Sequence, residues 1–190
     1  ATAPKWTGDE PENFALVALT AADDPGLLVL PINRVTNIEM PADEARQRLA
    51  QLFELTPADA DHAAISIISR GGTAGLHVKD AEAVDRLMPP DRSPGWRRLD
   101  YSIANHVVLQ YCLGLTPEQM RDYSRLWFTE DAAEAVAEVQ GGKATYAVLM
   151  RPLPVAQVLD TADAGERMPQ KSTFFYPKVP TGLVFNPLDS

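Results

Sequence analysis

Lys171, Ser172 and Thr173 stand side by side near the C-terminus, followed directly by Phe174, Phe175 and Tyr176 and flanked by Pro169 and Pro177. An ammonium beside two hydroxyls can hold a phosphate or carboxylate oxygen: the cation offsets its charge and the hydroxyls orient it. In an extended segment side chains alternate, so Lys171 and Thr173 share one face and Ser172 takes the other. Phe174 and Tyr176 would then pack beneath or beside them. A second reading needs no ligand. The segment is then a terminal strand whose hydroxyls satisfy backbone groups while Lys171 and Lys178 cover an aromatic cluster. On the residues alone the two readings stand level. Arg34, expected at the exit of a buried strand, is another anion-binding candidate; a salt bridge to one of 26 acidic residues is the simpler account of it.

Other residue types promise less. His62, His77 and His106 fall in different elements without ligand spacing, which argues against a metal site. His106 shares an apolar helical face with Leu99 and Ile103, so packing is its expected role. Cys112, late in the same helix, reads as a small buried hydrophobe rather than a nucleophile. Arg92, Arg97 and Arg98 flank Trp96 in a form that could stack on and neutralise a nucleotide phosphate. A solvated loop anchored by Trp96 is the expectation preferred. Gly71-Gly72-Thr73-Ala74-Gly75 joins two strand-like runs, so it reads as a hairpin turn and not a phosphate cradle. No complete catalytic set emerges, and whether the chain is an enzyme stays open.

The elements that must position these residues mix helix and strand. A first apolar element covers 13–20, and Asp23-Asp24-Pro25-Gly26 is a turn. A buried strand is expected over 27–32. A helix begins at Pro41 with Ala45, Leu49, Leu52 and Phe53 on one face, and Thr56-Pro57 opens a short helical turn. Strands at 62–69 and 75–79 enclose the glycine turn, and Asp80 caps a helix through Met88. Residues 1–190 read as one α+β domain, with the loop 89–95 as the best candidate for an internal boundary. A long helix covers 99–113, and Thr116-Pro117-Glu118-Gln119 carries a helix-start signature. The last third alternates: strand 124–128, helix 130–139, a Gly141-Gly142 stop, strand 145–150, helix 155–164, and strands at 173–176 and 182–185. The expected class is α+β, with mixed, largely antiparallel sheets and about five helices.

Composition narrows the partners. A charge of −9 over 190 residues opposes nonspecific binding to nucleic acid or anionic membrane. No Lys/Arg-rich helix-turn-helix is evident, so DNA is not expected as a partner. One cysteine excludes an intramolecular disulfide and suits a reducing, cytoplasmic setting. No apolar run approaches the ~18 residues of a membrane span, and the start lacks the apolar core of a signal peptide.

Two motifs carry a resemblance. Asp24-Pro25-Gly26-Leu27-Leu28-Val29-Leu30-Pro31-Ile32-Asn33-Arg34, together with Met168-Pro169-Gln170-Lys171-Ser172-Thr173-Phe174-Phe175-Tyr176-Pro177-Lys178 and Thr181-Gly182-Leu183, resembles a large prokaryotic family of uncharacterised conserved proteins. It is the domain of unknown function family numbered ten-fifteen, whose members are sometimes labelled SpoOJ/ParA/ParB/RepB-like. The family's Leu-Pro-Thr-His-Arg reads Leu30-Pro31-Ile32-Asn33-Arg34 here, losing the histidine and keeping Arg34. Its Leu-His in the long helix reads Asn105-His106. The resemblance implies that this chain is the C-terminal half of a longer protein and lacks an upstream Asp-Gly-His-His-Arg motif. That motif is similar to the phosphate-binding element of ParB-like nucleotide-utilising proteins, including an ADP-dependent serine kinase. A nucleotide or phosphorylated small molecule is the implied ligand of the whole protein. Lys171, Ser172, Thr173 and Arg34 are the residues this chain would contribute, and its own N-terminal half is the implied partner.

Overall fold

In the computed structural model, residues 7–15, 17–57, 63–180, 182 and 184–185 are described. The strands are β1 (Leu28–Leu30), β2 (Asn33–Thr36), β3 (Phe53–Pro57), β4 (Ile65–Ser69), β5 (Gly72–Val78), β6 (Leu126–Thr129), β7 (Tyr146–Met150) and β8 (Phe174–Tyr176). The α-helices are α1 (Ala42–Leu52), α2 (Ala81–Arg86), α3 (Pro94–Arg97), α4 (Asp100–Ile103), α5 (Ala132–Gln140) and α6 (Val155–Asp163). β1 and β8 form a two-stranded sheet, and the other six form one sheet in the order β3-β5-β4-β7-β2-β6. The α+β class is as expected, and every pairing in the larger sheet is antiparallel where a mixed, largely antiparallel sheet was expected.

The chain divides into two compact units, residues 29–174 and residues 1–28 with 175–190. The loop 89–95 lies inside the larger unit and not between units. In the smaller unit a short turn, Pro11–Asn13, is tied by Glu10. Its carboxylate accepts from Thr7 N, Gly8 N and Asn13 Nδ2, and backbone hydrogen bonds, that from Thr7 first, pull its pKa down to about 2.

Strand alternation divides the six-stranded sheet into two packed faces. On one, Ile65, Ile67, Tyr146, Val148, Met150 and Leu126 meet α1 residues Ala45 and Leu49 and the long helix. On the other, Val35, Ile68 and Ala147 meet Ala135 and Val139 of α5. Both helices are short, and this burial stabilises them more than propensity does. Asp131 caps α5 by accepting from Ala133 N at 2.8 Å and Glu134 N at 3.3 Å. Asp80 caps α2, as its sequence position indicated.

Several expectations change. Asn33 and Arg34 open β2, a strand between β7 and β6, instead of closing the strand before it. Pro31 has no N–H to donate, so the strand stops at Leu30 and restarts with polar residues that find partners inside. Thr56 and Pro57 end β3 rather than starting a helical turn; β3 is an edge strand, where a missing N–H is tolerated. The Thr116 signature does form its reciprocal bonds, Thr116 N to Gln119 Oε1 at 2.9 Å and Gln119 N to Thr116 Oγ1 at 3.3 Å. It leads only to a short turn, Gln119–Arg121. The long helix runs as α4 and then as a wider π-helical segment, Ala104–Cys112, whose exit bond joins Leu113 N to Val108 O. The 71–75 glycine run is a hairpin connection followed by strand, as expected. His62, Thr181 and Leu183 lie outside the described residues, and Gly182, Val184 and Phe185 are not in a strand.

Candidate functional site

Arg34 is the centre of the polar constellation. Its register partners in the sheet are Phe128 on β6 and Val148 on β7, which places its side chain on the face packed by the long helix. It has no exposed surface. Its guanidinium donates to three neutral oxygens: Nε to Asn105 Oδ1 at 3.0 Å, Nη1 to Ile32 O at 2.5 Å and Nη2 to Gln170 O at 3.5 Å. The carbon of the guanidinium lies 4.7 Å from the Tyr101 ring centre and 5.8 Å from that of Phe128. Among the described residues no carboxylate pairs with it. The salt bridge considered for Arg34 is therefore not formed. Burial pulls its pKa down to about 10, so it remains a cation at neutral pH. A buried cation held only by carbonyl dipoles and ring faces is unusual, because burying an unpaired charge is costly.

Tyr101 organises the approach to this point. Its hydroxyl donates to Arg151 O at 3.0 Å and accepts from Ile32 N at 3.4 Å, joining the backbone just after Pro31 to the backbone just after β7. Burial raises its pKa, so the phenol stays protonated. Asn105 is half-buried at the start of the π-helical segment, a kind of helix defect often found at functional positions.

Lys171 reaches the same ring from the other segment. Its backbone has φ +56°, a left-handed turn uncommon for a non-glycine residue, and its Nζ lies 5.8 Å from the Phe128 ring centre. Arg34 and Lys171 therefore each lie 5.8 Å from the centre of one ring, Phe128. Ser172 is not part of that convergence: it is buried and its hydroxyl donates to Pro169 O at 2.6 Å. Thr173 is half-buried, and no hydrogen bond among the described residues engages its hydroxyl. Asn105, Tyr101 and Phe128 were not singled out as site residues. Asn105, a polar residue beside His106 in the long helix, was the one sequence signal available; Phe128 became relevant only through strand register.

The remaining candidates take structural places. Trp96 is buried, its Nε1 donates to Arg167 O at 2.9 Å, and Arg92 lies over its ring at 5.1 Å. It anchors the loop, as the preferred reading held. His106 packs 5.7 Å from Trp96, and burial with nearby Arg92 lowers its pKa. Burial pushes the Cys112 thiol up to about 12, which fits its reading as an inert core residue. No cluster able to hold a metal ion occurs among the described residues. No helix among them is long and apolar enough to cross a membrane.

A family model described as Protein of unknown function (DUF1015) matches residues 1–102. The chain belongs to this family. No curated protein matches it. Among solved structures, a conserved hypothetical protein from Pyrococcus furiosus is similar at 12% identity and TM-score 0.51, over 86% of this chain and 62% of that one. That likeness shows the fold alone. A free serine kinase in complex with AMP matches at 11% identity and TM-score 0.49, over 83% of this chain and 57% of that one. The chain of this DUF1015 member therefore spans about three fifths of the length of the solved structures it matches.

Proposed function

We propose that this DUF1015 chain supplies one side of a phosphate-binding site at Lys171 and Arg34, completed by a further region of a longer protein that precedes it. The observation carrying the reading is the buried Arg34 cation without a carboxylate, 5.8 Å from the centre of the Phe128 ring that Lys171 Nζ also approaches to 5.8 Å. Arg34 has no exposed surface, so it acts through space, adding positive potential under Phe128 while Lys171 makes the contact. Thr173 has the hydroxyl available to orient an oxygen. Ser172 shapes the segment by its bond to Pro169 O. The ligand is a nucleotide or a phosphorylated small molecule, and the longer protein is where any phosphoryl chemistry would be completed. The ParB-like label and the upstream motif rest on the sequence resemblance alone.

Isothermal titration of the longer protein with ADP, ATP and CTP tests this, with Lys171→Ala as the comparison. Binding weakened about tenfold in the variant is expected, the loss of one charge-assisted contact. Equal binding by both proteins removes Lys171 from the site. A non-catalytic structural or interaction domain is the second reading. Its observation is the completeness of the Arg34 hydrogen bonding, which uses protein acceptors only. Absence of binding by either protein would favour it.

A further inference from the structure

A cleft of about 630 Å³ lies between α2 and the α3–α4 turn, lined by Val78, Val84 and Ile103 below and by charged side chains around the rim. Its size falls in the ordinary range for small-molecule sites, roughly 300–1,000 Å³. Pairing the rim charges leaves a remainder. Arg97 bonds Asp85 through both its carbonyl, at 2.9 Å, and its carboxylate, and Arg86 lies 3.8 Å from Glu82. The Arg98 guanidinium makes no ion pair or side-chain hydrogen bond among the described residues; the half-buried Asp100 carboxyl forms no close ion pair, and the charge of Arg151 partly offsets the rise in its pKa that burial causes. Arg97, held in place by Asp85, also keeps its Nε buried with no partner. Val78 is 41% exposed, an apolar surface that the rest of the fold leaves open.

We propose that this cleft binds a small ligand with one oxyanion group, a carboxylate, sulfonate or phosphate, on an apolar body. Arg98 anchors the anion in charge-assisted hydrogen bonds, beside Arg97, whose charge is already matched by Asp85. Val84 and Ile103 hold the apolar body, each removing hydrocarbon surface from water. Asp100 sets the selectivity: it lines the cleft, and its negative charge opposes a second anionic group on the ligand. This site is separate from the one at Lys171 and does not depend on it.

The probe is 8-anilinonaphthalene-1-sulfonate, a single oxyanion on an aromatic frame, titrated into the 190-residue chain and followed by fluorescence and by amide chemical shifts. Saturable binding with shifts at Val84, Arg97 and Ile103 is expected. Arg98→Ala, an exposed residue whose change leaves packing untouched, weakens it about tenfold. Asp100→Asn tightens it by removing the opposing charge. Shifts confined to other apolar surface, no saturable binding, or unchanged affinity in Arg98→Ala would each overturn the assignment.

Discussion

Arg34 holds three acceptors that point in different directions, at Asn105, Ile32 and Gln170, through a rigid planar fork. A lysine at this position has one ammonium on a flexible stem and cannot serve all three. Arg34→Lys should therefore cost about 2 kcal/mol, because at least one buried acceptor is left unsatisfied; urea unfolding would measure it. Cys112 gives a chemical test of burial. With its pKa near 12, the native thiol should resist iodoacetamide at pH 8 and react only after unfolding. The linkage sign agrees: an unfolded thiol ionises above about pH 8.5 while the folded one keeps its proton, so the unfolded state binds fewer protons. This contribution to stability is complete below pH 8.5 and is lost as pH rises toward 12. The inert role of Cys112 was legible from its place in an apolar helix. The role of Arg34 was not, because its acceptors come from residues 71 and 136 positions away.

At the scale of elements, the β4–β5 hairpin depends on close approach as well as on its turn. A Cβ added at Gly75 would sit 2.8 Å from Ala63 Cβ and 2.9 Å from Thr56 Oγ1, closer than such atoms ordinarily come. Gly75→Ala should lower stability by about 1–3 kcal/mol, the usual cost of overpacking, and a reduced melting temperature would show it. Loss of the α5 cap in Asp131→Ala should cost about 1 kcal/mol by urea unfolding, since two backbone donors lose their acceptor. Caps and turn glycines are local signals, and Asp80 and Gly71 were readable for that reason; Asp131, expected inside the helix 130–139, is instead its cap. The Thr116 signature shows the limit of local reading. Its capping bonds form as the residues dictate, yet the chain after Arg121 turns into β6 instead of extending a helix.

For the whole molecule, the −9 charge dominates encounters with polyanions. Fluorescence anisotropy with a labelled DNA duplex should show no binding by this chain even at low salt; a salt-dependent rise would contradict that expectation. The antiparallel α+β class followed from the alternation of short strands with capped helices, and the family from two motifs. Both are written in contiguous residues, where propensity, turn chemistry and hydrophobic period act locally. Lys171 could likewise be suspected from its neighbours alone. Which side chain it would meet was settled by register: Arg34 opposite Phe128 across β2 and β6, strands separated by some ninety residues of intervening chain. The sequence determined the α+β class, the charge and the family membership. Only the tertiary structure decided that Arg34 is a buried cation without a carboxylate, because the cost of burying it is balanced by groups that meet only after the sheet has assembled.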